Sequence, residues 1–423
     1  METSSPPGSG EARVEHCDSS SKESVVGSCC ERPLGHRSAG AYRLAIAVSA
    51  AGHTRLDKPV EIELDLAAPV YLGAQGELAA DTIRVVEVDK HGKVTDPAVD
   101  FQFDQEPDHG PHVPARAALV FLMRGVTTSG AVRHFEVRLD GERAPVPAVA
   151  PAMLVVEASD YQGQDSFRIE TESAVYYYHK AGGGFASMFD RYGRDWISFR
   201  PGDGPRGEYR GIPNAINPEG GFHPGSDMCV SRLLSQGPIR TRIASETRDG
   251  KWACIWDIYP QYARLTMLRA GHPYWVLYEG TPAGKLDEDN QYWVRSDGER
   301  GPASSAWEQP LPGLGWVYFG ESQGLDRVIY LVRHEADGHM DSYWPMQSAM
   351  TVFGFGRDNV DRARWCNLAR VPARFTIGFA QGACANDVRG VILSAAQELC
   401  VSVSTPEAVL GRSSRPSLAP PSE

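Results

Sequence analysis

Short segments in which apolar and polar residues alternate are the feature that most constrains the fold of this chain. Between residues 41 and 139 the alternation is clear at 42–48, 60–66, 83–88, 99–103 and 133–139. Successive side chains of a β-strand point to opposite faces, so a period of two indicates strands with one buried face. Glycines and prolines separate the segments, as turns do in all-β proteins. A small β-sandwich over residues 41–147 is therefore predicted.

The second half of the chain has longer and more aromatic strand segments. They lie at 166–170, 174–179, 252–259, 263–268, 274–279, 315–319, 328–333, 351–355 and 374–379. They predict a large antiparallel β-sandwich over residues 152–405, joined to the first by a proline-rich linker at 143–151. One helix is expected after Asn386, a possible cap, because apolar residues then recur at helical spacing. The fold class is all-β with few helices.

Composition limits the classes of partner. The chain has 423 residues and a net charge of -12, which argues against nucleic acid or an anionic membrane as the main partner. Its polar ends, 1–40 and 406–423, are predicted to be disordered. With no signal peptide visible at its start, the chain is expected to be cytoplasmic as written, or secreted or periplasmic if the true start lies elsewhere. The sequence does not indicate an oligomeric state.

Catalytic motifs with a known mechanism are absent. The sequence has no nucleophile elbow, no Walker loop and no zinc-protease motif. A metal site is conceivable in the 334–339 segment, because four possible ligands lie close together in the sequence: His334, Glu335, Asp337 and His339. Their spacing matches no known metal site. We therefore expect neither a metal nor a cofactor.

The segment from Gly207 to Gly225 is the main candidate for a functional site. It places a carboxylate, a phenol, a guanidinium, an amide and an imidazole within sixteen residues: Glu208, Tyr209, Arg210, Asn214 and His223. Glycines and prolines interrupt it throughout, which predicts an irregular loop and not a helix or strand. Polar and aromatic loops on a rigid scaffold are typical of binding sites. A long surface loop without a function is the alternative.

Three further clusters carry candidate site residues. On a strand, Tyr177 and His179 would share one face, while Tyr176 and Tyr178 would share the other. Glu279 ends an aromatic strand, where burial of its carboxylate would suit acid–base chemistry, although a structural pairing with an arginine is equally open. The third cluster supplies aromatic and cationic contacts for a ligand: Tyr343, Trp344 and Arg357.

The stretch 176–199 resembles a known family. It contains Gly182-Gly183-Gly184-Phe185 and then an Asp-x-x-Gly-x-x-Trp hairpin from Asp190 to Trp196. This pattern is similar to the opening of galactose-mutarotase-like β-sandwich proteins, and the resemblance extends loosely over residues 152–405. It implies a large supersandwich of a fold that houses aldose epimerases, polysaccharide lyases and accessory domains of glycosidases. Carbohydrate is the partner that it implies.

The lyase branch of this resemblance implies β-elimination at a uronic acid. Arg210 with Asn214 would neutralise the carboxylate, and His223 or His179 would remove the proton. Tyr209 or Tyr343 would then donate a proton to the leaving oxygen. We take a polysaccharide lyase acting on a uronate-containing polysaccharide or oligosaccharide as the leading hypothesis. Its remaining substrate contacts would be Glu208, Tyr177, Trp344 and Arg357.

Two other branches stay open. An aldose epimerase would use His223 or His179 as the acid and Glu279 as the base, although the chain lacks the Asn-His-x-x-Phe pattern of that family. A glycoside hydrolase of the same fold is a further enzymatic alternative. A non-catalytic carbohydrate-binding protein would use the same aromatic residues and need no matched acid and base.

Overall fold

The computed structural model describes most of the chain after residue 40. The described ranges are 41–65, 78–79, 83–104, 112–113, 116–139, 153–216, 219–359, 365–382, 384–405 and 407–409. They fall within one compact unit. The predicted N-terminal tail and the predicted linker lie outside the described residues. The domain boundaries drawn from the sequence stay a prediction.

The described elements are mostly strands. The first body contains β1 (Ala41–Ser49), β2 (Arg55–Asp65), β3 (Leu78–Ala79), β4 (Ile83–Val88), β5 (Val94–Asp96), β6 (Phe101–Phe103), β7 (His112–Val113), β8 (Arg116–Thr127) and β9 (Val132–Leu139). The second contains β10 (Met153–Tyr161), β11 (Gln164–Thr171), β12 (Ala174–His179), β13 (Gly184–Asp190), β14 (Gly211–Asn214), β15 (Cys229–Ser235), β16 (Thr241–Thr247), β17 (Ala253–Ile258), β18 (Tyr262–Arg269), β19 (Val276–Gly280), β20 (Gln291–Arg295), β21 (Arg300–Pro302), β22 (Trp307–Gln309), β23 (Gly315–Glu321), β24 (Arg327–Arg333), β25 (Asp341–Met346), β26 (Met350–Phe355) and β27 (Ala373–Gln381). Helix α1 (Ala385–Ala396), β28 (Cys400–Val403) and β29 (Glu407–Val409) follow, and 3₁₀ turns lie at Gly204–Arg206 and Pro282–Gly284.

The first body is a small sandwich. One sheet has the order β28-β1-β9-β4-β5, with β29 also paired to β1, and it faces the sheet β2-β8-β6. Apolar side chains from both sheets fill the space between them, among them Val48, Leu119, Phe121, Phe135 and Val137. The C-terminal strands β28 and β29 thus complete a sheet that the N-terminal strands begin.

The second body consists of two nine-stranded antiparallel sheets packed face to face. We call the sheet β10-β11-β12-β13-β14-β19-β26-β25-β22 the site sheet and the sheet β15-β16-β17-β18-β27-β24-β23-β20-β21 the rear sheet. Their shared core is strongly aromatic and includes Trp196, Trp256, Tyr278, Phe319 and Phe353. The all-β class predicted from the alternating segments is confirmed.

Helix α1 covers the outer face of the rear sheet. Its buried Val388, Ile392 and Ala395 belong to one apolar cluster with Tyr262 and Tyr330 of that sheet. The predicted helix is confirmed, but its start is not at the expected cap. The capping position is Cys384, which makes no side-chain capping bond, so Asn386 lies inside the first turn. No helix in the described ranges is long and apolar enough to cross a membrane.

A buried ion network joins the two bodies. Arg240, only 1% exposed, donates to Glu61 Oε2 at 2.5 Å and also pairs with Asp104, both on the first body. Burial alone would raise the pKa of Glu61, but the charges of Arg264 and Arg240 outweigh it and hold that pKa at about 2. Because the folded-state pKa is depressed, this carboxylate stabilises the fold at neutral pH and loses that contribution as pH falls from about 4.5 towards 2.

The expectation of an irregular loop after Gly207 is wrong. The segment after Gly207 is not irregular throughout, because Gly211–Asn214 forms β14 in the middle of the site sheet. Pro213 is tolerated there because the ladder to β19 pairs only at Gly211 and Asn214 and shifts register between them. The missing N–H of Pro213 therefore falls where no ladder bond is needed.

Candidate acid–base site on the outer face of the site sheet

Strand β19 places Glu279 on the outer face of the site sheet. Tyr278 packs into the core between the two sheets, so the alternate residues Leu277 and Glu279 point away from it. Glu279 pairs with Gly211 of β14 on one side and Val352 of β26 on the other. It is only 6% exposed. A carboxylate so far removed from solvent needs polar partners.

Asn214 is one of these partners. Its Nδ2 donates to Glu279 Oε2 at 2.6 Å, and its Oδ1 accepts from the backbone N–H of Ile216 at 3.3 Å. The second bond fixes which end of the amide faces the carboxylate. Asn214 thus holds Glu279 in one orientation.

His223 is the second partner. Its Nε2 lies 3.7 Å from Glu279 Oε2 and 3.3 Å from the backbone carbonyl of Tyr209. Both polar neighbours of Glu279 therefore approach Oε2, and neither contact involves Oε1. An imidazole and a carboxylate at this separation form a potential acid–base pair.

The backbone around His223 is held by close packing. Its N–H donates to the carbonyl of Gly182 at 2.9 Å. A Cβ atom on Gly182 would lie 2.5 Å from the His223 carbonyl oxygen, so only glycine fits between the β12–β13 hairpin and this loop. The glycine run that resembled the family opening thus positions the imidazole.

The pKa of His223 is raised above its ordinary value. Burial by itself would lower it, but the negative charge of Glu279, 3.7 Å away, and the Tyr209 carbonyl outweigh burial. His223 therefore stays protonated to higher pH than a free histidine. Its stabilising contribution is complete below pH ~6.5 and is lost as pH rises through the raised folded-state pKa.

Replacing Glu279 with glutamine should reverse this shift. The variant loses the negative charge but keeps the burial, so we expect the pKa of His223 to fall below about 6.5. NMR titration of the His223 ring protons in both proteins measures the change. A pKa that stays raised in Glu279→Gln would mean that the carboxylate is not what keeps His223 protonated.

Arg357 and two indole rings lie beside Glu279 on the same face. The Arg357 guanidinium carbon is 4.9 Å from the Trp344 ring centroid and 5.6 Å from that of Trp275. Its side chain crosses Gly354, where an added Cβ would lie 2.9 Å from Arg357 Cβ. Burial lowers the pKa of Arg357, and the charge of Glu279 opposes that shift. The predicted residues Trp344 and Arg357 thus adjoin the acid–base pair.

Arg210 lies near the pair but is already engaged. Its Nη1 donates to the Ser198 carbonyl at 3.2 Å and its Nη2 to the Ala349 carbonyl at 2.8 Å. A guanidinium with both terminal nitrogens on backbone carbonyls ties the 207–214 segment to the sheet. It is poorly placed to grip a substrate carboxylate bidentately. Its neighbours Glu208 and Tyr209 are exposed, Tyr209 at 48%.

His179 and Tyr177 occupy the outer face of β12, as the alternation predicted. His179 is buried, its Nδ1 accepts from the Gly225 N–H at 3.1 Å, and its Nε2 lies 3.1 Å from the Tyr161 carbonyl. Burial lowers the pKa of His179 to about 4. Tyr177 stacks on Tyr161 with ring centroids 4.2 Å apart. Strand β12 is three strands from β19, about 14 Å away at the usual spacing. His179 nevertheless lies close to His223, because it accepts from the nearby Gly225 and the charge of His223 also lowers its pKa.

Tyr343 lies on the opposite face of the site sheet from Glu279. It is fully buried in the core, and its hydroxyl donates to the Ala303 carbonyl at 2.5 Å. Alternation along β25 therefore separates Tyr343 from Trp344. We leave Tyr343 out of the proposed site.

The residues of the 334–339 segment have other partners. His334 Nε2 lies 2.8 Å from Thr376 Oγ1, Glu335 pairs with Arg374, and Asp337 pairs with Arg333. Among the described residues, no group of three or more His, Cys, Asp or Glu side chains could hold a metal ion.

Trp275 is a site residue that we did not select from the sequence. It lies one residue before β19 and shares a face with Leu277 and Glu279 at positions i, i+2 and i+4. That same-parity spacing was visible in the sequence. The sequence did not show which face of the strand carries the site. Both faces are aromatic and apolar, because Trp275 and Leu277 alternate with Tyr274, Val276 and Tyr278.

Comparison with known proteins gives a distant likeness only. No protein-family model and no curated protein matches the chain. An alpha-mannosidase from Enterococcus faecalis V583 is similar in structure, with a TM-score of 0.46 and 12% identity over 86% of this chain and 46% of that one. The protein HI1317 has a TM-score of 0.38 and 11% identity over 55% of this chain and 97% of its own. This chain spans less than half of the alpha-mannosidase, and at these scores the likeness assigns no activity.

Proposed function

We propose that the chain is a carbohydrate-active enzyme that uses His223 and Glu279 as an acid–base pair, most simply to interconvert the anomers of an aldose. The observation that carries the proposal is the 3.7 Å approach of His223 Nε2 to a buried Glu279 carboxylate that Asn214 orients. The partly exposed indole ring of Trp344 supports a sugar ligand, because aromatic faces pack well against the C–H faces of a pyranose.

In the proposed reaction the Glu279 carboxylate takes the proton of the anomeric hydroxyl. The protonated imidazole of His223 gives a proton to the ring oxygen as the bond between the anomeric carbon and that oxygen breaks. The open-chain aldehyde turns about its first carbon–carbon bond, and the reverse transfers close the other anomer. Protons are exchanged but none is gained or lost overall, and the raised pKa of His223 suits its role as the acid.

The same geometry gives less support to the other enzymatic branches. Most glycosidases need a second carboxyl group beside the first, whereas the polar partners of Glu279 are an imidazole and an amide. A lyase with the roles first assigned would need Arg210 for the carboxylate and a tyrosine as the acid. Arg210 is bonded to backbone carbonyls, and Tyr343 lies on the core side, so of the two tyrosines only the exposed Tyr209 remains for the acid.

A polysaccharide lyase is the second candidate, and Arg357 is the observation that favours it. This buried guanidinium lies beside the acid–base pair and could neutralise a uronate carboxylate in place of Arg210. His223 would then have to remove the proton in its neutral form. β-Elimination would therefore need a pH above the raised pKa of His223.

Anomeric exchange measured by NMR tests the first proposal. A panel of aldoses, neutral and acidic, is followed with the wild-type protein and with Glu279→Gln. We expect the wild type to speed the exchange of at least one aldose and the variant to remove most of that acceleration. Ultraviolet absorbance of unsaturated products on uronate polysaccharides tests the lyase. Glycan binding without either activity would indicate a non-catalytic binding protein.

A further inference from the structure

We infer that Arg357, with Trp275 and Trp344, forms a subsite for a carboxylate, so that the ligand of this face is an acidic sugar. The inference rests on the proposed function for its location, and it adds the class of substrate. Its basis is a group of buried hydrogen-bond donors that lack acceptors.

Among the described residues, Arg357 is a buried cation without an ion pair. It is 8% exposed, and among the described residues its Nη1 has no hydrogen-bond partner. No carboxylate in the described ranges lies within ion-pair distance of it, although Glu279 and Glu308 act on it through their charge. Desolvating a guanidinium is costly unless an anion compensates. Arg357 Nη1 is therefore a buried hydrogen-bond donor that an acceptor atom of a ligand would satisfy.

Trp275 offers a second donor at the same place. Its Nε1 is buried and has no partner among the described residues, and Arg357 lies over its ring. Ser342 Oγ, opposite Gly354 in the β25–β26 ladder, is a third buried polar atom without a described partner. Guanidinium and indole N–H groups only donate, so a ligand that satisfies them must bring acceptor oxygens.

A carboxylate fits this set better than a sugar hydroxyl. It carries two oxygens with about four acceptor positions, and charge-assisted hydrogen bonds to arginine are the strong kind. With His223 protonated, its charge offsets that of Glu279 on this face, although the whole chain carries a charge of -12.

Calorimetric binding of matched sugars tests the inference on the full-length protein. The probes are glucuronate and galacturonate, their neutral counterparts glucose and galactose, and the two hexose 6-phosphates. We expect a uronate to bind at least about tenfold more tightly than its neutral counterpart. Arg357→Gln should remove that preference and leave affinity for the neutral sugar within about twofold. Arg300→Gln is the matched control, because it removes another arginine stacked on an aromatic ring, Tyr292 of the rear sheet, and should change nothing.

Salt dependence of wild-type binding is a second measurement that needs no variant. Affinity for the uronate should fall as ionic strength rises, while affinity for the neutral sugar stays constant. Equal affinity for acidic and neutral sugars, no binding of either, or a preference that survives Arg357→Gln would overturn the inference. Tighter binding of a 6-phosphate than of the uronate would overturn the carboxylate assignment. Tight uronate binding with no acceleration of anomeric exchange or elimination would uphold this subsite and reject the proposed enzymatic function.

Discussion

Replacing Glu279 with glutamine is expected to lower kcat for anomeric exchange by about 10²- to 10⁴-fold, the usual contribution of a positioned acid or base. Glutamine keeps the size of the side chain and an oxygen that can accept from Asn214 Nδ2. It cannot take the proton of the anomeric hydroxyl. It also removes the charge that keeps His223 protonated, so both halves of the pair fail together. Exchange spectroscopy on the best aldose of the panel gives the rate.

Glu246→Gln is the control for this substitution. Glu246 makes an exposed ion pair with Arg269 on the rear sheet, whereas Glu279 lies on the site sheet. It should leave both the rate and the folding unchanged. A Glu279→Gln protein that folds normally and retains the full wild-type rate would exclude Glu279 as the base.

Replacing Arg240 with methionine is expected to destabilise the protein by about 3 kcal/mol. Removing one partner of a buried ion pair typically costs about 3–5 kcal/mol, because the other charge is left buried. The lower end applies here, since Glu61 keeps Arg264 and Asp104 keeps Arg242 at 3.6 Å after the change. Urea unfolding followed by tryptophan fluorescence gives the loss in unfolding free energy.

Arg269→Met provides the comparison for Arg240→Met. Both partners of the Arg269–Glu246 pair are more than half exposed, so its loss should cost less than about 1 kcal/mol. If both variants lose the same unfolding free energy, the buried ion network between the two bodies stabilises the protein no more than an exposed ion pair does.

Local periodicity explains why so much of the fold was predictable. Alternation along β12 correctly separated Tyr176 and Tyr178, which enter the core, from Tyr177 and His179, which do not. Helical spacing after residue 385 likewise gave α1. What periodicity cannot give is pairing between distant segments. The ladder between β1 and the C-terminal β28 joins residues more than 350 positions apart, and nothing local in either strand encodes it.

The same limit applies to the site. Glu279, His223 and Asn214 were each selected from their own neighbourhoods. The pairing of β14 with β19 brings Asn214 to Glu279, and contact with the β12–β13 hairpin places His223 beside them. Arg210 was selected as the carboxylate-binding cation because of its sequence neighbours. In the structure both terminal nitrogens of Arg210 donate to backbone carbonyls, those of Ser198 and Ala349. Only the folded chain shows where these two carbonyls lie. Arg357, whose Nη1 has no partner among the described residues, follows β26 and forms an isolated bridge with Cys366. Sequence order alone does not place it near Glu279.

A crystal structure of the protein with a bound acidic aldose would show whether Glu279 and His223 meet the anomeric centre. We expect a pyranose on the outer face of the site sheet, with its anomeric hydroxyl in hydrogen-bond range of Glu279, its ring oxygen near His223 Nε2, and its carboxylate on Arg357 Nη1. An aldose bound with its anomeric carbon out of reach of both Glu279 and His223 would contradict it.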